Sequence, residues 1–270
     1  MSEGLSGAVL PLEARIARAR GLLDGAQRIL CDLDGCLVSG ARVLPGVAGF
    51  VRRHAERLVI VSNNSTDTAE TLSRRLAGLG LMLPAGRIVL AGEAALGMAQ
   101  RRVPSGRLLL LAGAVMQARA RALGLDPLAA TPEAVVLCRD ASRSQLEAAM
   151  PLLARGLPLI VANPDLTHPG EDGPVIETGA LLALLEACVP RARSCVAGKP
   201  SAHLFRAALG PVAPEAAVMI GDNPDTDIAG ARRLGMPSIH VGPGGQATGL
   251  TGFDCLFPDE ADVPGAVAGY

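Results

Sequence analysis

Ile29-Leu30-Cys31-Asp32-Leu33-Asp34-Gly35 runs a short apolar segment straight into two carboxylates and a glycine. Three consecutive apolar residues ended by polar ones read as a strand buried on both faces. Alternation along an extended chain aims Asp32 and Asp34 away from Leu33, and Gly35 lets the backbone curl around a small ligand. Two carboxylates so close repel each other unless a cation or a proton neutralises them. The same punctuation recurs twice. Leu58-Val59-Ile60-Val61 ends at Ser62, and Val218-Met219-Ile220 ends at Gly221-Asp222. Helical stretches lie beside these runs, from Thr66 to Leu79 before Gly80 and from Asp225 to Leu234 before Gly235. Alternating strands and helices predict an α/β fold with a parallel sheet covered on both faces. The ligand crevice of such a sheet lies at the carboxyl ends of its strands, where all three polar clusters sit.

A second strand-and-helix series fills the middle of the chain: Leu108 to Leu111, Ala134 to Leu137 and Leu157 to Val161. Crossings are expected near Pro104-Ser105-Gly106 and Pro190 to Ser194. They divide the chain into a core of residues 1–103 plus 193–270 and an inserted α/β domain of residues 104–192. Ahead of the first strand, Leu12 to Leu23 is expected to form a surface helix packed on the core.

Composition narrows the function. Of 270 residues, 49% are hydrophobic and 19% charged, which excludes disorder. Lys plus Arg number 25 against 26 Asp plus Glu, so no overall basic field exists to hold nucleic acid. Apolar stretches such as Leu108 to Met116 fall far short of a membrane span. The first twelve residues lack a secretory pattern, and the expected location is cytoplasmic. Six cysteines (Cys31, Cys36, Cys138, Cys188, Cys195 and Cys255) form no CxxC or zinc spacing and are read as buried thiols.

Further polar groups complete a candidate site. Asp222 is followed by Asn223, Asp225 and Asp227; with Asp32 and Asp34 they would form an oxygen-rich, negative cluster suited to Mg²⁺. Asp225 and Asp227 are also candidates to cap the helix that follows. Ser62, Asn63 and Asn64 offer a hydroxyl and backbone amides for phosphate oxygens. Lys199, in Gly198-Lys199-Pro200, opens a helix expected over Ser201 to Leu209. This is not a Walker loop, since Arg193 replaces the earlier glycine and no Ser or Thr follows Lys199. Gly242 to Ala247 is read as a plain glycine-rich loop.

These four elements, in this order and each at a strand end or helix start, resemble the haloacid dehalogenase (HAD) superfamily. More closely they resemble the subclass of p-nitrophenylphosphatase and phosphoglycolate phosphatase. The likeness runs from about Arg28 onward. It rests on Asp32-Leu33-Asp34-Gly35, Ser62-Asn63-Asn64, Gly198-Lys199-Pro200 and Gly221-Asp222 through Thr226-Asp227-Ile228, with Asn163-Pro164-Asp165 in the insert. The resemblance implies a Rossmann-like parallel core with a large α/β cap between the second and third motifs. It implies Asp32 as nucleophile, Asp34 as general acid and base, and an aspartyl-phosphate intermediate. Mg²⁺ would be held by Asp32, the Asp34 carbonyl and Asp222, with Asn223 and Asp227 in support. Ser62, the Asn63 amide and Lys199 would hold the transferring phosphoryl group; Asn64, Asn163 and Asp165 would meet the rest of the substrate. His168, a few residues after Asp165, is read either as a contact to the leaving group or as an exposed loop histidine. Asp34 separates ester hydrolysis from dehalogenation, because an alkoxide leaving group needs an acid and a halide does not.

The expected partner is a small phosphate ester. The cap segment has no Phe, Tyr or Trp, which favours a sugar, polyol or small carboxylic phosphate over a substrate held by ring stacking. A phosphotransferase or mutase using the same intermediate, and a non-catalytic phospholigand-binding module, are the alternatives. His54, His203 and His240 read as surface or packing residues, and Cys36 as a space filler. Residues 1–27 precede the usual start of the subclass and leave a homodimer open.

Overall fold

A computed structural model describes residues 11–170 and 173–242. Helix α1 (Leu12–Gly25) leads into β1 (Arg28–Cys31), a flap of β2 (Val38–Ser39) and β3 (Arg42–Val43), and α2 (Val47–His54). Then come β4 (Leu58–Ser62), α3 (Ala69–Gly78), β5 (Ile88–Leu90) and α4 (Ala91–Arg102). The middle of the chain contributes β6 (Leu108–Leu111), α5 (Ala114–Ala122), β7 (Ala134–Leu137), α6 (Arg143–Ala154) and β8 (Leu159–Val161). A hairpin, β9 (Thr167–Gly170) and β10 (Gly173–Ile176), precedes α7 (Thr178–Cys188) and β11 (Ser194–Val196). The last part holds α8 (Ala202–Leu209), β12 (Ala217–Gly221), α9 (Ala229–Arg233) and β13 (Ser238–His240).

Two parallel sheets organise these elements. The first has the order β13-β12-β1-β4-β5 and the second β11-β8-β7-β6. β1 lies between β12 and β4, with Cys31 opposite Ile220 on one side and Ile60 on the other. The chain leaves β1 toward β4 and returns later on the β12 side, so the crevice expected of a doubly wound sheet opens at Asp32. The second sheet extends to Val196, beyond Ala192, because β11 pairs with β8 from Ser194↔Leu159 onward.

Local chemistry sets the element ends. α3 starts three residues later than the expected Thr66: Asn64 Oδ1 accepts the amides of Thr66 and Asp67 and turns the chain, and Thr68 and Thr71 then form a reciprocal cap. β8 begins at Leu159 rather than Leu157, whose amide closes the end of α6 on Leu152. The helix expected over 225–234 splits into a wide π turn, Pro224–Ile228, and the short α9. Its cap is Asn223, which accepts the Asp225 and Thr226 amides, while Asp227 Oδ2 reaches back to accept the Asn223 amide at 3.2 Å. α1 buries Ala19 and Leu23 as a surface helix, tied down by Arg57, which donates to the Leu23 carbonyl at 3.0 Å.

The modules share apolar packing. Leu30, Val59 and Val61 of the first sheet join Leu108, Leu110, Val136 and Ile160 of the second in one cluster. α4 lies between them with Ala91, Ala95, Leu96 and Ala99. Each Leu, Val or Ile among them contributes roughly 1.5–3 kcal/mol when fully buried, so parting the sheets would expose a costly surface. Glu93 on α4 reinforces the joint: its carboxylate accepts the Ala69 amide at 3.0 Å and meets Arg119 Nε of α5 at 2.6 Å.

The cysteine expectation holds in part. Cys31, Cys36 and Cys138 are buried, but Cys188 is exposed and Cys195 half-buried, all five as free thiols; Cys255 lies outside the described residues. Beyond Gly242, so does the loop read as Gly242 to Ala247. No helix among the described residues is long and apolar enough to cross a membrane.

Candidate active site

The ends of β1, β4 and β12 meet at a cleft of about 670 Å³ whose lining includes Asp32, Asp34, Ser62, Lys199 and Asp222. Lys199 is its electrostatic centre. The side chain is 2% exposed, and its Nζ lies 2.5 Å from Asp32 Oδ1 and 2.7 Å from Asp227 Oδ1. Burial opposes the ammonium charge, but the two carboxylates outweigh it and raise its pKa, keeping Lys199 a cation. Asp227 is fully buried and sits behind the lysine, away from the cleft lining.

Asp32, Asp222 and Asp227 each bring a carboxylate oxygen within 4.8 Å of the others. Desolvation and then the charge of Asp32 push Asp222 up to about 7. A divalent cation reverses that penalty, and an all-oxygen donor set suits Mg²⁺. Gly35, at φ +80°, makes room for this arrangement: a Cβ there would come 2.2 Å from Asp222 Oδ2. The amides of Cys36, Leu37 and Val38 converge on the Leu33 carbonyl, which shapes the turn after Asp34. Asp34 is an exposed residue of the cleft lining, and desolvation followed by the nearby Asp32 charge raises its carboxyl to about 6. A proton held near neutrality is what a general acid requires.

Asn63 joins three segments. Its Oδ1 accepts the Lys199 amide at 2.7 Å, while its Nδ2 donates to the Lys199 carbonyl at 3.2 Å and to Asp165 Oδ2 at 2.9 Å. Gly198 is required beside it, because a Cβ would stand 2.5 Å from both Asn63 Oδ1 and the Ala162 carbonyl. Thus the Asn63 side chain sets the lysine backbone, leaving its main-chain amide for a ligand. Ser62 is buried at the end of β4, and its Oγ accepts the Asn64 amide at 3.1 Å.

Two residues expected to meet substrate have other partners. The Asn64 side chain is spent on the amides of Thr66 and Asp67 and on Asp67 Oδ2. Asn163 is fully buried and donates to the Asn63 carbonyl at 2.7 Å and Thr178 Oγ1 at 3.1 Å, so it ties the second module to the first. Asn64, Asp165, His168 and Asn223 line the cleft, and Asn163 does not. His168 Nδ1 lies 2.9 Å from Glu177 Oε1, and Arg139 Nη1 is 3.6 Å from the same oxygen. Arg75 on α3 also reaches the lining.

Glu177, Arg139 and Arg75 were not singled out from the sequence. Glu177 precedes a helix and reads as a cap; it does accept the Thr178 amide at 3.0 Å while also holding His168. Nothing in the local pattern of Arg75 or Arg139 separates them from other surface arginines.

A buried lysine between carboxylates, at the crevice of a Rossmann-like sheet with an inserted α/β cap, defines a HAD-type hydrolytic site. Residues 29–126 match the family model for haloacid dehalogenase-like hydrolases, and residues 196–252 match a second, HAD-hydrolase-like model. Dihydroxyacetone phosphatase of Corynebacterium glutamicum (strain R) is 31% identical over 222 residues, covering 80% of each chain. The crystal structure of 4-nitrophenylphosphatase from Thermotoga maritima superposes with a TM-score of 0.76 at 29% identity, over 82% of this chain and 87% of that one. Glycerol phosphate phosphatase from Mycobacterium tuberculosis, solved in complex with magnesium, gives 0.75 at 28% identity, over 82% and 68%. The chain belongs to the haloacid dehalogenase-like hydrolases, and it is a phosphatase of their p-nitrophenylphosphatase-like subclass.

Proposed function

We propose that this chain hydrolyses a small, non-aromatic phosphate monoester, a triose, polyol or small carboxylic phosphate, through an aspartyl-phosphate on Asp32. The observation that carries the reading is the Lys199 ammonium 2.5 Å from Asp32 inside a cleft that Asp34 also lines.

Asp32 attacks phosphorus in line, displacing the alcohol while Asp34 gives it a proton. Asp34 then takes a proton from water as it attacks the aspartyl-phosphate, which releases inorganic phosphate and regenerates both carboxyls. Lys199, Ser62 and the Asn63 amide hold the phosphoryl oxygens, and Asp227 keeps the ammonium in place. Mg²⁺, held by Asp32, Asp222 and the Asp34 carbonyl, would screen the carboxylate from the phosphate dianion and neutralise developing charge.

The second module supplies one wall of the cleft. Asp165, His168 and Leu166 line it, and among the described lining residues the imidazole of His168 is the only ring. Few flat faces are available for stacking a base or pyridine, whereas hydroxyls find hydrogen-bond partners in His168, Arg139 and Asp165. Relatives that act on dihydroxyacetone phosphate and glycerol phosphate, by their names, fit such a surface.

A panel at equal concentration tests the reading: glycerol phosphates, dihydroxyacetone phosphate, phosphoglycolate, sugar phosphates, pyridoxal phosphate and nucleoside monophosphates, each with Mg²⁺ and with excess chelator. The expected result is highest kcat/KM among the small aliphatic esters, lost with chelator and restored by Mg²⁺. Preference for pyridoxal phosphate or nucleotides contradicts the substrate class, and full turnover in chelator contradicts the metal.

A further inference from the structure

We infer that His240 is a positioning residue for the metal-binding carboxylate of Asp222, acting through the Asp222 backbone; the inference rests on reading Asp222 as a Mg²⁺ ligand. His240 ends β13, directly opposite Gly221 in the parallel ladder with β12. Its Nε2 lies 2.9 Å from the carbonyl oxygen of Asp222. With that nitrogen as donor, the imidazole closes the peptide on the carboxyl side of the ligand.

Two neighbouring contacts make this corner a clamp. The Val241 amide donates to the Gly221 carbonyl at 2.9 Å, on the other side of Asp222. Gly242, at φ +102°, passes so near that a Cβ there would be 3.4 Å from the Asp222 Cβ. The residues from 240 to 242 therefore grip Asp222 from behind, while the open face of Gly35 lies in front of its carboxylate. Asp222 begins an irregular turn, with only β12 fixing it from the amino side. Without the imidazole, its peptide would lose the hydrogen bond to its carbonyl, and the carboxylate would spend less time aimed at Asp32.

Groups that orient a metal ligand typically change metal affinity by about 10–100-fold when removed. The effect belongs in Mg²⁺ affinity and leaves chemistry at saturating metal nearly unchanged. His240→Leu and His240→Asn cannot reach the carbonyl with a donor, whereas His240→Gln carries an N–H at similar reach.

Isothermal titration of Mg²⁺ into metal-free protein, with circular dichroism melts alongside, separates these cases. H240L and H240N should bind Mg²⁺ about tenfold more weakly than the unaltered chain, with H240Q within about threefold of it. Half-saturating Mg²⁺ for p-nitrophenyl phosphate turnover should shift in parallel, with kcat at saturating Mg²⁺ within about twofold. Unchanged Mg²⁺ affinity in folded H240L and H240N would overturn the inference. So would equal weakening in H240Q, which would show that ring shape and not the donated bond is what matters. Asp222→Asn is the control: if Mg²⁺ binds the unaltered chain and D222N alike, the metal reading of Asp222 itself is wrong, whatever His240 does.

Discussion

Asp32→Asn is expected to lower p-nitrophenyl phosphate turnover by about 10⁴-fold or more, while circular dichroism and thermal melting stay close to those of the unaltered chain. The amide is a poor nucleophile, and no other carboxylate is placed to replace it. Asp34 is the proposed general acid, Asp227 is fully buried behind Lys199, and Asp222 is the metal candidate. The fold should survive because Lys199 keeps its 2.7 Å pairing with Asp227, so no buried charge is left alone. A variant that retained even a tenth of the activity would remove Asp32 from the chemistry.

Lys199→Met is expected to strike both activity and stability. Loss of a preorganised cation at the transferring group costs about 10²–10³-fold in kcat. The same substitution strands Asp227, which has no exposed surface, and breaking a buried pair in this way costs about 3–5 kcal/mol. Adding Asp227→Asn to K199M should return most of that stability, as read by urea denaturation, without returning activity. Recovery of both together would mean that Lys199 acts only as a structural counter-ion; recovery of neither would mean that the cost arises from packing around its long aliphatic stem.

The strand ends at Asp32, Ser62 and Asp222 were legible because a short apolar run stopped by a polar residue has one easy reading in a covered parallel sheet. Lys199 could be placed near them because its motif fell in the right order, and the 2.5 Å contact with Asp32 agrees with that expectation. What pattern could not give was the direction of polar side chains in irregular segments. Asn163 stands at the end of β8, where a side chain can enter the cleft or the joint between modules; the Asn63 carbonyl and Thr178 hydroxyl draw it into the joint. Glu177 and His168 meet because the β9–β10 hairpin folds back, with Thr167 opposite Ile176, a pairing that no local spacing announces. His240 looked like a packing residue for the same reason, since only the β12–β13 register brings it to the Asp222 carbonyl. Cys188 proved exposed because α7 is apolar over much of its circumference, leaving its inward face unmarked in the sequence.

Covalent capture during turnover tests the central claim most directly. Enzyme quenched with borohydride while hydrolysing p-nitrophenyl phosphate in the presence of Mg²⁺ should, on peptide mapping by mass spectrometry, carry a reduced side chain at position 32, because an acyl phosphate is reduced where a free carboxylate is not. Reduction confined to Asp32, absent without substrate and absent in D32N, is the predicted result. Reduction at another carboxylate, or active enzyme that never yields a trapped residue under any quench, would contradict it.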